Sequence, residues 1–266
     1  MDFNNHLLDG KKGIVFGALN NQSIAWKVAE KVTAEGARIV LTNTPLSLRL
    51  GTVSQLADET GSLLVPADAT SVADLEQLVD AAMEHFGGPV DFVLHAVGMS
   101  QNLRKGRPYE DVNYEFFLKT LDVSALSFHK LLQTLYKKDA MSEWGSVVTL
   151  TYIAADRVMP GYNDMADAKA VLQAITRNFG YIYGRKRHVR VNAVSQSPTP
   201  TTAGQGIAGM EGMLQYADNC SPLGNATAED CAALVTMLFS DFTRKVTMQT
   251  IYNDGGFSSV LPNPLT

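Results

Sequence analysis

Seven short apolar runs, each followed by a longer stretch of helical period, constrain what this chain folds into more than any other feature of its sequence. The runs are KGIVFG (12–17), ARIVLT (37–42), SLLVPA (62–67), VDFVLHAV (90–97), GSVVTLTY (145–152), HVRVNAVS (188–195) and QTIYND (249–254). Between them lie amphipathic segments at 23–34, 47–59, 71–86, 112–137, 163–183 and 227–240, long enough to cross from one parallel strand to the next. Several runs are continuously apolar, as expected of strands covered on both faces. The pattern predicts an α/β fold, a Rossmann-type doubly wound parallel seven-stranded sheet with helices on both faces. No linker, repeat or low-complexity tract breaks the rhythm, so 1–266 reads as a single domain. The exception is 197–224, rich in Gly, Thr and Met; long connections of this kind are often lids, and a substrate-binding lid is expected there.

Composition narrows the function. A chain of 266 residues with 45% hydrophobic content buries a large core. The net charge of -5, with both signs scattered, leaves no basic stripe for a phosphate backbone, which argues against nucleic acid. No segment reaches the roughly eighteen apolar residues of a membrane span, and a cytoplasmic protein is expected. Cys220 and Cys231 have no His or acid at ligand spacing, so neither a metal site nor a disulfide framework is expected, and both read as buried small residues.

In doubly wound sheets, ligands lie beyond the carboxyl ends of the strands, where a strand turns into a helix whose amides and dipole favour a diphosphate. Here the first turn reads FGALNNQSIA. It keeps Gly17 but lacks the usual second and third glycines, with Asn20, Asn21, Gln22 and Ser23 in the turn. Alone, this reads equally as a polar helix start capped by Ser23. Two further places favour a dinucleotide. Asp68-Ala69 follows the third run, where a side chain reaches an adenine, and Gly98 follows the fourth, where a missing Cβ lets the backbone approach a cofactor. After the second run, Thr42-Asn43-Thr44 offers neither the acid usual for NAD nor the Arg or Lys usual for NADP. With no cation to meet a 2′-phosphate, NADH is expected over NADPH.

Tyr162 and Lys169 stand seven residues apart in the segment after the fifth run. At about 100° per residue, seven steps return to within roughly 20° of the start, so the two side chains are expected on one helix face. A tyrosine of ordinary pKa, about 10, is a poor acid at neutral pH, and a neighbouring ammonium is expected to favour its phenolate. Tyr152 ends the preceding strand. By spacing alone such a pair also arises by chance on many helices.

With these motifs the chain resembles the short-chain dehydrogenase/reductase superfamily, and within it the bacterial NADH-dependent enoyl-acyl-carrier-protein reductases, over essentially its whole length. The Tyr-Lys spacing marks the superfamily; the narrower likeness rests on GALNNQSIA, LTYIAADRVMPGYNDMADAK, RVNAVS and NDGGFS. The resemblance implies reduction of the trans-2 double bond of enoyl thioesters on acyl carrier protein, the last step of the fatty-acid elongation cycle. It implies that Gly17, Ser23, Ile24, Thr44, Asp68, Ala69, Ala96, Val97, Gly98, Thr151, Lys169, Pro198, Thr199 and Thr201 form the dinucleotide site. Tyr152, Tyr162 and Lys169 would be catalytic, Tyr162 aimed at the thioester oxygen and Lys169 also holding the nicotinamide ribose. Met99, Met210 and Met213 would face the acyl chain beside the tyrosines, ordinary lid packing being the alternative for the last two. A homotetramer packed through 112–137 and 163–183 is implied as well.

Three positions depart from the family pattern. Ala96-Val97-Gly98 replaces Ser-Ile-Gly, Ser197 replaces a glycine before Pro198, and Thr44 stands where a longer polar side chain often reaches the adenosine ribose. Altered cofactor affinity or lid geometry is expected, with Ser197 crowding the nicotinamide or shifting the lid, and the reaction class kept. Two other readings stay open. One is a carbonyl reductase of the same superfamily, although Thr149, Thr151 and Tyr152 stand where such enzymes place a serine. The other is a dinucleotide-binding sensor without turnover, against which the Tyr162–Lys169 pair argues. His95, inside an apolar run, reads as a core histidine, and Arg185, Lys186 and Arg187 as a solvated helix end, docking of an acidic carrier protein being the alternative.

Overall fold

The computed structural model describes residues 6–202 and 210–260. Seven strands, β1 (Lys12–Phe16), β2 (Arg38–Thr42), β3 (Leu63–Leu64), β4 (Val90–His95), β5 (Met141–Thr151), β6 (Arg190–Gln196) and β7 (Thr250–Asn253), form one sheet in the order β3-β2-β1-β4-β5-β6-β7. All of its pairings are parallel. The expected fold class is therefore present. Successive residues of the central strands bury into opposite layers, which is why their sequences are continuously apolar. Ile14, Val93, Val147 and Val191 pack with Leu78, Leu132 and Leu172 on one face. Val15, Leu94, Val148 and Val194 pack with Val28, Leu56 and Val235 on the other.

The crossovers are α1 (Ile24–Ala34), α2 (Pro45–Leu50), α3 (Val53–Thr60), α4 (Val72–Phe86), α5 (Gln101–Arg104), α6 (Tyr114–Leu121), α7 (Ser127–Lys137), α8 (Asp164–Arg187), α9 (Met210–Cys220) and α10 (Ala228–Phe239). Several boundaries differ from the sequence reading. The third strand is two residues long, yet its bonding to β2 runs on: Val65 and Ala67 donate to Leu41 O and Asn43 O at 3.0 Å each, and Pro66 between them falls on the open edge of the sheet, where no amide is needed. The expected helix at 47–59 divides at Gly51-Thr52, where Gly51 is extended. The expected helix at 112–137 contains a π turn at Asp122–Leu126. There Ser124 Oγ accepts from Met99 N at 2.9 Å and donates to Met99 O at 3.2 Å, fastening the segment after β4. Within 197–224, which sequence reads as an irregular lid, α9 is a regular helix; 203–209 lie outside the described residues.

Strand order reverses between β1 and β4, and the crevice at their carboxyl ends is where doubly wound sheets bind ligands. Gly17 and Ala96 open that crevice.

Candidate active site

Two adjoining cavities occupy the crevice. The larger, of about 540 Å³, runs from the first turn over the ends of β2 and β3 and is lined by Gly17, Ser23, Ile24, Thr44, Asp68, Ala69 and Thr201. The smaller, of about 220 Å³, lies over β5 and the start of α8 and is lined by Met99, Thr151, Tyr152, Tyr162, Lys169, Pro198, Thr199, Met210 and Met213. Ala96, Val97 and Gly98 line both. Every candidate residue singled out from sequence thus faces one of two connected spaces of ligand size.

In the first turn, Gly17 has φ +102°, and a Cβ there would sit 2.1 Å from Ala96 O. Only glycine fits, whatever binds. Ser23 is the N-cap residue of α1 but does not cap it with its side chain; its Oγ accepts from Leu19 N at 3.1 Å and Asn20 N at 3.2 Å, shaping the turn. This corrects the capping alternative: the first amides of α1 are left for another acceptor. Asn43 Nδ2 donates to Ala18 O at 2.9 Å, tying β2 to this turn. Thr44 Oγ1 caps α2 by accepting from Ser47 N at 3.2 Å. Neither Lys nor Arg lines the cavity from the β2–α2 connection. Asp68 Oδ1 accepts from Thr70 N and Thr70 Oγ1, both at 2.8 Å.

At the other end, Lys169 is buried on α8 and donates from Nζ to Leu150 O at 2.8 Å. Loss of water pushes its ammonium down from 10.5 to about 8. A Cβ on Gly98 would lie 3.9 Å from this Nζ, so the glycine backbone borders the space above the lysine. Tyr162 does not lie on the helix: α8 begins at Asp164, behind an N-cap Asn163 at φ +54°. The helical-face argument therefore fails, and a turn brings Tyr162 to the same cavity as Lys169 instead. The expected lowering of its pKa is also corrected. Burial, and then neighbouring Tyr152, hold the Tyr162 phenol above its ordinary value, because desolvation penalises a phenolate and Lys169 does not offset this. The rings of Tyr152 and Tyr162 lie 4.8 Å apart, tilted by 52°. Burial likewise raises Tyr152, and its hydroxyl and that of Thr151 are buried without a hydrogen-bond partner among the described residues.

Around this centre, Ser197 Oγ accepts from Ala226 N at 3.2 Å, so the hydroxyl is engaged by the 226 amide. Asn20 Nδ2 donates to Thr202 Oγ1 at 2.8 Å, joining the first turn to the segment after β6. His95 is buried with its ring nitrogens 3.1 Å from Thr149 Oγ1 and 2.9 Å from Ser127 Oγ. Burial and the Lys169 charge push it down to about 3, and it is a neutral core residue. The basic residues ending α8 are not simply solvated: Lys186 and Arg187 both pair with Asp139, at the end of α8 remote from Lys169.

Sequence reasoning missed Asp164. It is fully buried and accepts from Ser100 Oγ at 2.6 Å, Asn102 Nδ2 at 2.8 Å and Thr120 Oγ1 at 2.8 Å. An acid in a helix's first turn is ordinary, so nothing in the sequence marked it as buried.

A family model described as enoyl-(acyl carrier protein) reductase matches residues 17–258. The chain belongs to that family. Enoyl-[acyl-carrier-protein] reductase [NADH] 2 of Rhizobium meliloti is 36% identical over 96% of this chain and 94% of its own length. Among solved structures, the FabI–NADH complex from Alistipes finegoldii superposes with a TM-score of 0.95 at 64% identity, covering 96% of this chain and 90% of that one. FabI from the same organism, in a second structure, gives 0.92 at 60% identity, over 97% and 94% of the two chains. The family resemblance read from the motifs agrees with these matches.

Proposed function

We propose that this protein reduces the trans-2 double bond of enoyl thioesters carried by acyl carrier protein, with NADH as reductant, in fatty-acid synthesis, as a single catalytic domain. Tyr162, Tyr152 and Lys169 converging on one cavity beside the switch point, in a member of the enoyl reductase family, is the observation that carries this reading.

The residues present suit a dinucleotide. The amides opening α1 would meet the diphosphate, Asp68 and Ala69 the adenine, and Thr44 the adenosine ribose. The space over Lys169 beside Gly98 would take the nicotinamide ribose, and the Thr151 hydroxyl, without a partner among the described residues, offers a further hydrogen bond. Ile24, Ala96, Val97, Pro198, Thr199 and Thr201 would complete this wall. NADH is favoured because no cation lines the β2–α2 side. When bound, the cofactor supplies a hydride to the β-carbon of the substrate.

The chain's own part is to receive the charge that develops on the thioester oxygen. Tyr162, held as a neutral phenol, donates a hydrogen bond to that oxygen, and the Lys169 cation adds positive potential in a site where water screens little. Tyr152 packs against Tyr162 and faces the same oxygen. Met99, Met210 and Met213 form an adaptable wall for the acyl chain, α9 acting as part of a lid.

The helices α7 and α8 leave between them an apolar groove lined by Tyr136, Val171, Ile175, Phe179 and Ile182, which supports a homotetramer packed through these helices; a monomeric mass by light scattering at micromolar concentration would remove that assembly. No helix among the described residues is long and apolar enough to cross a membrane, which accords with a cytoplasmic location.

The test is loss of NADH absorbance with crotonyl and acetoacetyl thioesters in parallel. Turnover with the enoyl substrate alone, lowered about a hundredfold by Tyr162→Phe, is expected. Turnover only with the oxo substrate, or cofactor binding without turnover on either, would refute the reading.

A further inference from the structure

The mouth of the smaller cavity has two walls of opposite charge. On one side Ser197, Pro198, Thr199 and α9, which contributes Met210 and Met213, carry no Lys or Arg, and α9 carries two acids, Glu211 and Asp218. On the other, α5 and the turn after it present Arg104, Lys105 and Arg107, all exposed. Arg104 lines both cavities, and among the described residues no acid pairs with it. Lys105 Nζ lies 4.6 Å over the Phe116 ring. Arg107 reaches Asp111, its Nη1 3.2 Å from the carbonyl and 3.5 Å from the carboxylate, with Glu110 adjacent and exposed.

This basic corner is held in place from beneath. Ser100 caps α5 by accepting from Leu103 N at 3.0 Å and donates to buried Asp164. Asn102 donates to the same carboxylate, and its Oδ1 accepts from Asn113 N at 3.0 Å. Asn163, adjoining Tyr162, donates to Arg107 O. Two residues that directly follow Tyr162 therefore fix the segment that carries the cations. Such a platform loses little freedom when it binds an anion.

We infer that Arg104 to Arg107 form the docking surface for the acyl carrier protein, Arg104 taking the phosphate of its 4′-phosphopantetheine arm. The inference rests on the enoyl-reduction reading, since it supplies the carrier that the substrate is attached to. The arm carries its phosphate outside the catalytic cavity while the thioester lies within, so a phosphate-binding cation belongs at the mouth, where Arg104 stands. A protein of net charge -5 repels an acidic partner over most of its surface, and a local basic patch beside the entrance is what steers such a partner to it. The basic end of α8 does not serve, because it lies at the far end of that helix from Lys169 and the cavity, with Lys186 and Arg187 held by Asp139.

Three crotonyl thioesters separate the contributions: N-acetylcysteamine, with no phosphate; pantetheine 4′-phosphate, the arm alone; and holo acyl carrier protein, arm and protein. Arg104→Gln is expected to raise KM about tenfold for the two phosphate-bearing substrates, the loss of one charge-assisted contact, and less than about twofold for N-acetylcysteamine. The double variant Lys105→Gln/Arg107→Gln is expected to raise KM for the carrier substrate alone, and added salt to weaken that substrate selectively. Equal changes for all three thioesters, or none, overturn the proposal. A rise in KM for NADH with the thioesters unaffected would assign Arg104 to the cofactor diphosphate and also overturn it. Absence of turnover by the unaltered protein on all three refutes enoyl reduction itself and the docking role with it, an outcome distinct from uniform effects in an active enzyme.

Discussion

Replacing Lys169 with Met sets stability against function in a way that the structure makes quantitative. Burial lowers the lysine from 10.5 to about 8, and at about 1.4 kcal/mol per pH unit this drop corresponds to about 3 kcal/mol. Because the folded pKa is the depressed one, the unfolded chain binds the extra proton between about 8 and 10.5, and stability of the free protein rises with pH across that window. At pH 7 both states are protonated and the fold carries the whole penalty of a buried ammonium. Lys169→Met removes it, at the expense of the bond to Leu150 O, worth about 1 kcal/mol. The net gain is about 2 kcal/mol, or roughly 4–8 °C in Tm for a chain of this size. Calorimetry without NADH at pH 7 and again near pH 10 is the assay. The variant's advantage must shrink toward the higher pH, and NADH, which stabilises the parent, must do so far less for the variant. A variant no more stable than the parent at pH 7, or one whose difference does not change with pH, would refute the reasoning.

Other perturbations follow from the same geometry. In the free enzyme, kcat/KM for NADH is expected to be flat below about pH 8 and to fall above it as Lys169 loses its proton; Tyr162, raised by burial, adds no limb there, so a limb that disappears in Tyr162→Phe would contradict the assignment. Gly17→Ala forces a side chain into φ +102° and into Ala96 O, and should cost about 2 kcal/mol or more and abolish NADH binding, read by urea unfolding and fluorescence titration. Asp164→Val strands the donors of Ser100, Asn102 and Thr120 and should lose about 3 kcal/mol or more in urea unfolding, Asp164→Asn less than half of that, since its amide oxygen still accepts. Equal losses for the two would show that shape and not hydrogen bonding matters at this site.

The sheet was legible because its central strands bury both faces, so that Ile14 and Val15, or Val93 and Leu94, each needed an apolar side chain for a different layer. The third strand was legible only in part: the apolar run spans 62–67, but only Leu63 and Leu64 pair regularly with β2, and beyond them the alternate amides of Val65 and Ala67 continue the bonding. Nothing in DVSAL announces the π turn at 122–126. The bonds made there by Ser124 to Met99 are tertiary, formed between residues 25 apart, and a local pattern does not encode them. Asp164 was hidden for the same reason, its donors coming from the β4 connection and α6.

The pairing of Tyr162 with Lys169 shows the limit in the other direction, since a spacing argument joined two residues that do line one cavity, but by a geometry the chain does not use. Helical phase would have placed the phenol on α8, against the lysine and under its charge. Instead Asn163, at positive φ, ends the approach to the helix and turns Tyr162 onto Tyr152. The chemical consequence is the opposite of that expected. A phenol close enough to the ammonium to ionise would be a base, suited to taking a proton from an alcohol; one held neutral by burial is a donor. No carboxylate or histidine lines the smaller cavity among the described residues, so the ionisable groups on its wall are two neutral phenols, the buried Lys169 and, at the mouth, Arg104. Such a surround favours growth of negative charge on a substrate oxygen. Reduction of an enoyl thioester develops that charge and needs only a donor to meet it, whereas removal of a hydroxyl proton needs a base, which a neutral phenol is not.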